Sequence, residues 1–230
     1  MAEIKRREKS FPLDPAGWAF IIPFLLIALV LLLIGWTWAA GIVLILGLCV
    51  GAFFRDPRRT SPQNPQAILS PADGKVVGIE EMEVECPENE RKTMLRVSIF
   101  LSVFDVHVQR SPWAGTVKSV VHTPGKFRNA MSSQSSIDNE NTMIWFNTDQ
   151  GWVGVRQIAG LVARRVVTRV EPGDQLEKGA HIGMIRFGSR VELFFSPHAT
   201  VRVQNGQYVK GGISIMAEWQ DDESKNREGN

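Results

Sequence analysis

Val170-Glu171-Pro172-Gly173-Asp174-Gln175-Leu176-Glu177-Lys178-Gly179-Ala180-His181-Ile182-Gly183 returns in altered form as Val203-Gln204-Asn205-Gly206-Gln207-Tyr208-Val209-Lys210-Gly211-Gly212-Ile213-Ser214-Ile215. In each copy a turn glycine is followed by an apolar residue, then by a Lys-Gly pair and a short apolar strand. Glycines that punctuate short apolar runs mark turns between β-strands. Between the copies stands Met184-Ile185-Arg186-Phe187-Gly188-Ser189-Arg190-Val191-Glu192-Leu193-Phe194-Phe195. Its flanks run apolar in the manner of buried strands, and Gly188-Ser189 interrupts them.

A glycine inside a strand pattern marks a bulge or a close backbone approach. Here it also leaves the Ser189 hydroxyl free to reach the Gly188 carbonyl, because no Cβ crowds that peptide. Two readings stay open on these residues: a bulge without chemistry, or a serine placed to attack its own backbone.

Outward from this stretch the same texture continues. Lys75–Ile79, Met94–Leu101, Gly115–His122, Thr142–Asn147, Gly151–Ala159 and Leu161–Val170 read as short strands between turn residues, and long helical periodicity is absent. An all-β barrel or sandwich is expected. The repeated glycine cadence resembles the hammerhead turns of lipoyl- and biotinyl-like barrels, with Ser70-Pro71-Ala72-Asp73-Gly74-Lys75-Val76 as an opening turn.

The first quarter of the chain is different. Residues 1–15 are polar and basic, 16–54 carry no charge, and Arg55, Asp56, Arg58 and Arg59 follow at once. A bilayer-crossing helix needs about 20 apolar residues, so the uncharged run is roughly two spans long. Gly35-Trp36-Thr37-Trp38 near its middle combines turn and interface residues. Two transmembrane helices, at about 17–35 and 38–54, are expected to form a hairpin. Basic residues at both ends place those ends in the cytoplasm. Residues 55–66 form a Pro- and Arg-rich linker whose arginines are expected near anionic headgroups. The catalytic β domain is set at 67–217 and a polar tail at 218–230.

Charge is nearly balanced, with 26 Lys and Arg against 24 Asp and Glu, which leaves no nucleic-acid footprint. Two cysteines and four histidines without zinc-type spacing argue against a disulfide framework or a metal site.

Three further groups could carry chemistry. Asp73 sits in a Pro-Ala-Asp-Gly turn, where capping its own turn is the simpler role. His107 alternates with apolar residues in Phe104-Asp105-Val106-His107-Val108, as a packed histidine would. Pro124-Gly125-Lys126-Phe127-Arg128-Asn129-Ala130 through Asp138-Asn139-Glu140-Asn141 reads as a lid or as a plain surface loop.

Taken together, Pro-Ala-Asp-Gly, Phe-Asp-Val-His-Val, Pro-Gly-Lys-Phe-x-Asn-Ala, Asp-Asn-Glu-Asn and Phe-Gly-Ser-Arg-Val-Glu, in this order, closely resemble the short, membrane-anchored prokaryotic form of phosphatidylserine decarboxylase. The likeness runs from about Arg55 to Ala217. The resemblance implies a mainly-β, pyruvoyl-dependent enzyme that cuts itself between Gly188 and Ser189. A large β chain, 1–188, and a small α chain, 189–230, would result, with a pyruvoyl group made from Ser189 and with neither metal nor pyridoxal phosphate. That group would form a Schiff base with the amine of phosphatidylserine and release CO2, leaving phosphatidylethanolamine at the inner membrane.

In such an enzyme His107 is the candidate base for Ser189, with Asp73 fixing its tautomer. His107 is also the candidate acid that protonates the product. Longer members of the family carry a second histidine where this chain has Arg110, so His107 would do both tasks or share one; His198 is the reserve base. Lys126, Arg128 and Arg190 are candidates for the substrate's anionic groups. A further homo-oligomer is compatible with a membrane-surface barrel. Two other classes remain, a membrane-anchored lipoyl-like binding module and a serine hydrolase using Ser189, although the hydrolase elbow Gly-x-Ser-x-Gly is missing.

Overall fold

The computed structural model describes residues 4–5, 12–125, 139–160, 166–186 and 189–220. β1 (Ile4–Lys5) is followed by a 3-10 turn at Pro15–Gly17 and the helices α1 (Trp18–Leu33) and α2 (Thr37–Phe53). The body then contains β2 (Ala67–Leu69), β3 (Gly74–Glu85), β4 (Arg91–Leu101), β5 (Val108–Arg110), β6 (Gly115–Thr123), β7 (Asn141–Thr148) and β8 (Gly151–Ala159). It closes with β9 (Val166–Thr168), β10 (Gln175–Leu176), β11 (His181–Ile185), β12 (Ser189–Phe195), β13 (Thr200–Val201), β14 (Tyr208–Val209) and β15 (Ile215–Glu218).

The two helices form an antiparallel pair. Gly35, at φ +84°, makes the tight turn between them, a conformation open to glycine at little cost. Leu26, Leu29, Leu33, Ile45 and Leu48 all face outward, so the pair is apolar nearly all round. Pro15–Leu33 is long and apolar enough to cross a membrane; Thr37–Phe53 is equally uncharged but shorter. Where the chain enters and leaves, it pairs with itself: Asp14 N–H donates to Phe54 O at 2.7 Å and Asp56 N–H to Pro12 O at 2.9 Å. Gly17 permits this closure, since a Cβ there would lie 2.7 Å from the Phe54 side chain. Both ends of the hairpin therefore emerge side by side.

The body is a nine-stranded sheet in the order β1-β10-β6-β7-β8-β12-β4-β3-β14, closed against two three-stranded sheets, β5-β11-β9 and β13-β15-β2. The expectation of a mainly-β sandwich behind two helices holds. β12 lies at the centre, flanked antiparallel by β4 and β8, and all seven of its residues are buried. Val191, Leu193 and Phe195 enter the main core with Ile99, Val155, Ile182 and Met216. Alternate residues face the other side, where Phe194 packs with Met94, Met143 and Trp145.

Both repeat copies build the same turn. Gly173 and Gly206 have φ of +98° and +89°. Gly173 N–H donates to Val117 O and Val117 N–H to Asp174 O, and Gly206 N–H donates to Val76 O and Val76 N–H to Gln207 O, all four at 2.8 Å. The partners of the two copies are themselves related: Ser70-Pro71-Ala72-Asp73-Gly74-Lys75-Val76 matches Ser111-Pro112-Trp113-Ala114-Gly115-Thr116-Val117. Ser70 Oγ donates to Ala72 O and Ser111 Oγ to Trp113 O, at 2.7 and 2.6 Å. The body is thus two interlocked copies of one motif, and Asp73 stands where the other copy has Ala114.

Two strand expectations change. β3 runs on to Glu85 rather than ending at Ile79, because Glu80 finds Arg96 at 2.6 Å across the ribbon and Glu83 accepts from Thr93. Of the segment expected at Leu161–Val170, the described part forms a strand only at Val166–Thr168.

Candidate active site

Ser189 opens β12, in register with Leu101 of β4 and Ala159 of β8. The strand pinned on both sides holds its backbone, and the side chain is fully buried. Its Oγ has no hydrogen-bond partner among the described residues. A buried hydroxyl left unmatched is costly and calls for a functional reason.

His107 lies just ahead of β5, on the segment that continues from Leu101, the register partner of Ser189. Ile185, four residues before Ser189, donates its N–H to His107 O at 3.3 Å. The histidine and serine segments thus run alongside one another. His107 Nδ1 is 2.9 Å from Asp105 O, and a carbonyl can only accept. Nδ1 therefore carries the proton and Nε2 a lone pair. Nε2 is buried and, like Ser189 Oγ, has no partner among the described residues. Burial pushes the imidazole from its usual 6.5 down to about 4; the Asp105 carbonyl opposes this, the Arg55 charge adds to it and the Asp73 charge opposes it. At neutral pH the ring is uncharged and able to take a proton.

Behind the ring runs a buried polar chain. Thr168 Oγ1 donates to Gln157 Oε1 at 3.2 Å, Gln157 Nε2 to Gln109 Oε1 at 2.8 Å, and Gln109 Nε2 to His107 O at 2.6 Å. Each amide is satisfied at both ends, so the His107 backbone is fixed from inside the sheet. In front, Phe53 of α2 lies against the imidazole, ring centroids 4.2 Å apart. On the cleavage-site side, the Arg186 guanidinium sits 5.2 Å from the centre of the Phe20 ring on α1. The hairpin base is one wall of the site.

Asp73 differs from its expected role. Its carboxylate is held by Arg59, with Nη2 to Oδ2 at 2.8 Å and Nη1 on Oδ1, and by Gly211 N–H at 2.8 Å. The tautomer of His107 is set by the Asp105 carbonyl instead, and Asp73 reaches the ring only through its charge. Arg59, expected at lipid headgroups with the other linker arginines, is turned inward by this pair.

Arg190 follows Ser189 and so faces the opposite side of β12. There its Nη2 meets Glu192 at 2.6 Å and Ser98 Oγ at 3.0 Å, and Arg96 and Arg156 approach the same buried glutamate. Arg110 ties Asp56 and Gly179 O to β5, fastening the linker to the body. His198 lies exposed in a turn, its N–H on Ser196 Oγ at 3.3 Å. Gly188, Lys126 and Arg128 lie outside the described residues. Among the described residues no cluster of His, Cys, Asp or Glu is arranged to hold a metal.

Phe53 and Arg59 were missed as site residues for a common reason. Each reads locally as part of something else, an apolar helix and a basic linker. The only hint was their nearness in sequence to the start of the β body.

The sequence profile of phosphatidylserine decarboxylase matches residues 46–217. The chain belongs to the phosphatidylserine decarboxylase family. The match begins inside α2 and takes in Phe53, Arg59, Asp73, His107 and Ser189. A phosphatidylserine decarboxylase proenzyme from Magnetococcus marinus (strain ATCC BAA-1437 / JCM 17883 / MC-1) is 41% identical over 220 residues, covering 94% of this chain and 100% of the relative. The likeness to that decarboxylase therefore extends well into the helical hairpin. As a member of the phosphatidylserine decarboxylase family the chain is a carboxy-lyase.

Proposed function

We propose that this chain is a proenzyme that cuts itself between Gly188 and Ser189 and then decarboxylates phosphatidylserine at a membrane surface. The observation that carries the reading is a pair of buried atoms without hydrogen-bond partners among the described residues, Ser189 Oγ and His107 Nε2, on adjoining segments. One has a proton to lose and the other a lone pair to take it.

Self-cleavage follows from this pairing. His107 Nε2 removes the Ser189 hydroxyl proton as Oγ attacks the Gly188 carbonyl carbon, and the peptide C–N bond breaks in favour of an ester. Loss of the Ser189 Cα proton then expels the Gly188 carboxylate. Water replaces the nitrogen left on residue 189, which departs as ammonia. The products are chains 1–188 and 189–230, the second starting with a pyruvoyl group.

Position 189 fits that group: it is buried, and the first residue of a central strand cannot swing away. That group, when present, would supply an electrophilic carbonyl for the substrate amine and the electron sink for loss of CO2. His107 handles the protons. A neutral imidazole takes one at Nε2 from the substrate ammonium, freeing the amine, and returns it to Cα once CO2 has left. The apolar wall of Phe53 keeps the site dry, which favours departure of a poorly solvated carboxylate. Lys126 and Arg128 supply cations for the phosphodiester, since Arg190 is engaged by Glu192 on the opposite side of β12.

The hairpin anchors the enzyme in the cell's inner membrane, with the basic N-terminus and the β body on the cytoplasmic side. Its first helix is long enough to span, and Phe53 at the base of the second lies against His107.

The test is intact mass spectrometry of the wild type beside Ser189→Ala, with cyanoborohydride trapping of phosphatidylserine vesicles. The wild type should give two chains, the smaller blocked at its terminus and gaining the substrate mass, while Ser189→Ala stays whole. An uncut wild type that releases CO2 would overturn the proposal.

A further inference from the structure

The turn from Leu101 to His107 displays its side chains unusually. Phe104 is 83% exposed, more than any other large apolar residue among those described, and Val103 beside it is half exposed. Away from the helices, the other exposed large apolar residues among those described are Val77, Val121 and Tyr208, none of them adjacent in the chain to another. A lone exposed apolar residue needs no account, but two neighbours on one turn do.

The turn is closed rather than slack. Ser102 N–H donates to Asp105 Oδ2 at 2.7 Å and Asp105 N–H to Ser102 O at 3.0 Å. Arg55 Nη2 donates to Phe104 O at 2.5 Å and its Nη1 to Ala52 O at 2.7 Å. One guanidinium thus bridges the last turn of α2 and the carbonyl of the exposed phenylalanine. The Phe104 backbone is held level with the base of the hairpin, where an anchored helix leaves the hydrocarbon. An arginine at that depth suits anionic headgroups, and a phenylalanine beside it suits the acyl boundary.

We infer that Val103–Phe104 is a second membrane contact, a rigid apolar turn that enters the interface of the bilayer beside the hairpin. This rests on the reading of the hairpin as a membrane anchor. A hairpin alone leaves the body free to rock about its base. A second point of contact sets the tilt, and His107, three residues beyond Phe104 in the chain, is thereby held at headgroup depth. The occupant is lipid because the surface is continuous with the hairpin and its adjoining charge is positive.

The test uses the full-length chain in vesicles of mixed anionic and zwitterionic lipid. Nitroxide labels are placed singly by Phe104→Cys, Leu26→Cys and Tyr208→Cys in a Cys49→Ser background, and their collisions with oxygen and with a water-soluble nickel chelate are measured. Leu26 in the middle of α1 is 58% exposed and Tyr208 on the body 57%. The Phe104 label should resemble that at Leu26, open to oxygen and shielded from nickel, with Tyr208 the reverse. A Phe104 label as open to nickel as Tyr208, while Leu26 is in lipid, overturns the second contact and leaves the anchor standing. An aqueous label at Leu26 as well overturns both. Spin–spin broadening at Phe104 would show a second copy of the chain as occupant and overturn the lipid assignment. Phe104→Asp should mature normally and raise the apparent KM for vesicle substrate roughly tenfold, the order expected for one large apolar side chain. Its kcat, and its turnover of a short-chain soluble substrate, should stay the same; an unchanged vesicle KM counts against the proposal.

Discussion

The ring of Phe53, the last residue of α2, lies 4.2 Å from the ring of His107 at an interplanar angle of 36°. A residue of the apolar hairpin therefore covers the imidazole, and burial is the largest cause of its lowered pKa. The anchor and the proposed base are one packed unit, joined by Val106, Val108, Phe54 and Met184.

Replacing Phe53 by Ala should admit water to this face. The His107 pKa is then expected to rise from about 4 toward the ordinary imidazole value. Maturation should slow, and its pH profile should shift upward, while Phe53→Leu should keep most of the wild-type rate. Time courses of chain cleavage across pH, read by electrophoresis, check both variants.

The pH dependence of the wild type has a definite sign. His107 stays neutral in the folded chain until pH approaches about 4, so self-cleavage should hold its rate well below the 6.5 typical of histidine. Stability behaves differently. Between about 6.5 and 4 the unfolded chain takes up a proton that folded His107 refuses, so stability should fall as pH drops through this window, by at most about 3 kcal/mol. Thermal melts of uncut Ser189→Ala across that window check the second point. A melting temperature independent of pH would contradict it.

Asp73 and Arg59 form a buried pair, so removing one partner should be far worse than removing both. Asp73→Asn leaves the buried guanidinium without its counter-charge, with only Gly211 O still accepting from it, and should cost about 3–5 kcal/mol. The double variant Arg59→Met, Asp73→Asn should recover much of that loss. A double-mutant cycle of melting and maturation separates the structural share from the charge that Asp73 places near His107. Recovery of stability without recovery of maturation would assign Asp73 a positioning role.

Arg110 binds Asp56 at the exit of the hairpin. Around the same point His181 lies 3.6 Å from Asp14 and 4.0 Å from Asp56, with Arg169 also on Asp14. Burial lowers the His181 pKa most; the two carboxylates raise it and the two arginines lower it. Arg110→Met should therefore destabilise the attachment of the hairpin by about 3–5 kcal/mol and make His181 easier to protonate. Melting in detergent and the imidazole NMR titration measure the two effects.

Order along the chain makes the β body legible, because turn glycines such as Gly173 and Gly206 and short apolar runs are local signals that need no partner. It also locates the uncharged run of the hairpin, the Gly188-Ser189 interruption and the motif set of the family. Which residues meet depends on the folded chain. Asp73 chose Arg59 over His107, Arg190 turned away from Ser189 by the alternation of a strand, and Phe53 came to rest on an imidazole far along the chain. The Ser70 and Ser111 turns are alike in sequence, and their matched hydrogen bonds show that they fold alike. Periodicity records which side of an element is buried; it carries no record of the neighbour that buries it, and that neighbour sets hydrogen bonds, charge and proton affinity at the site.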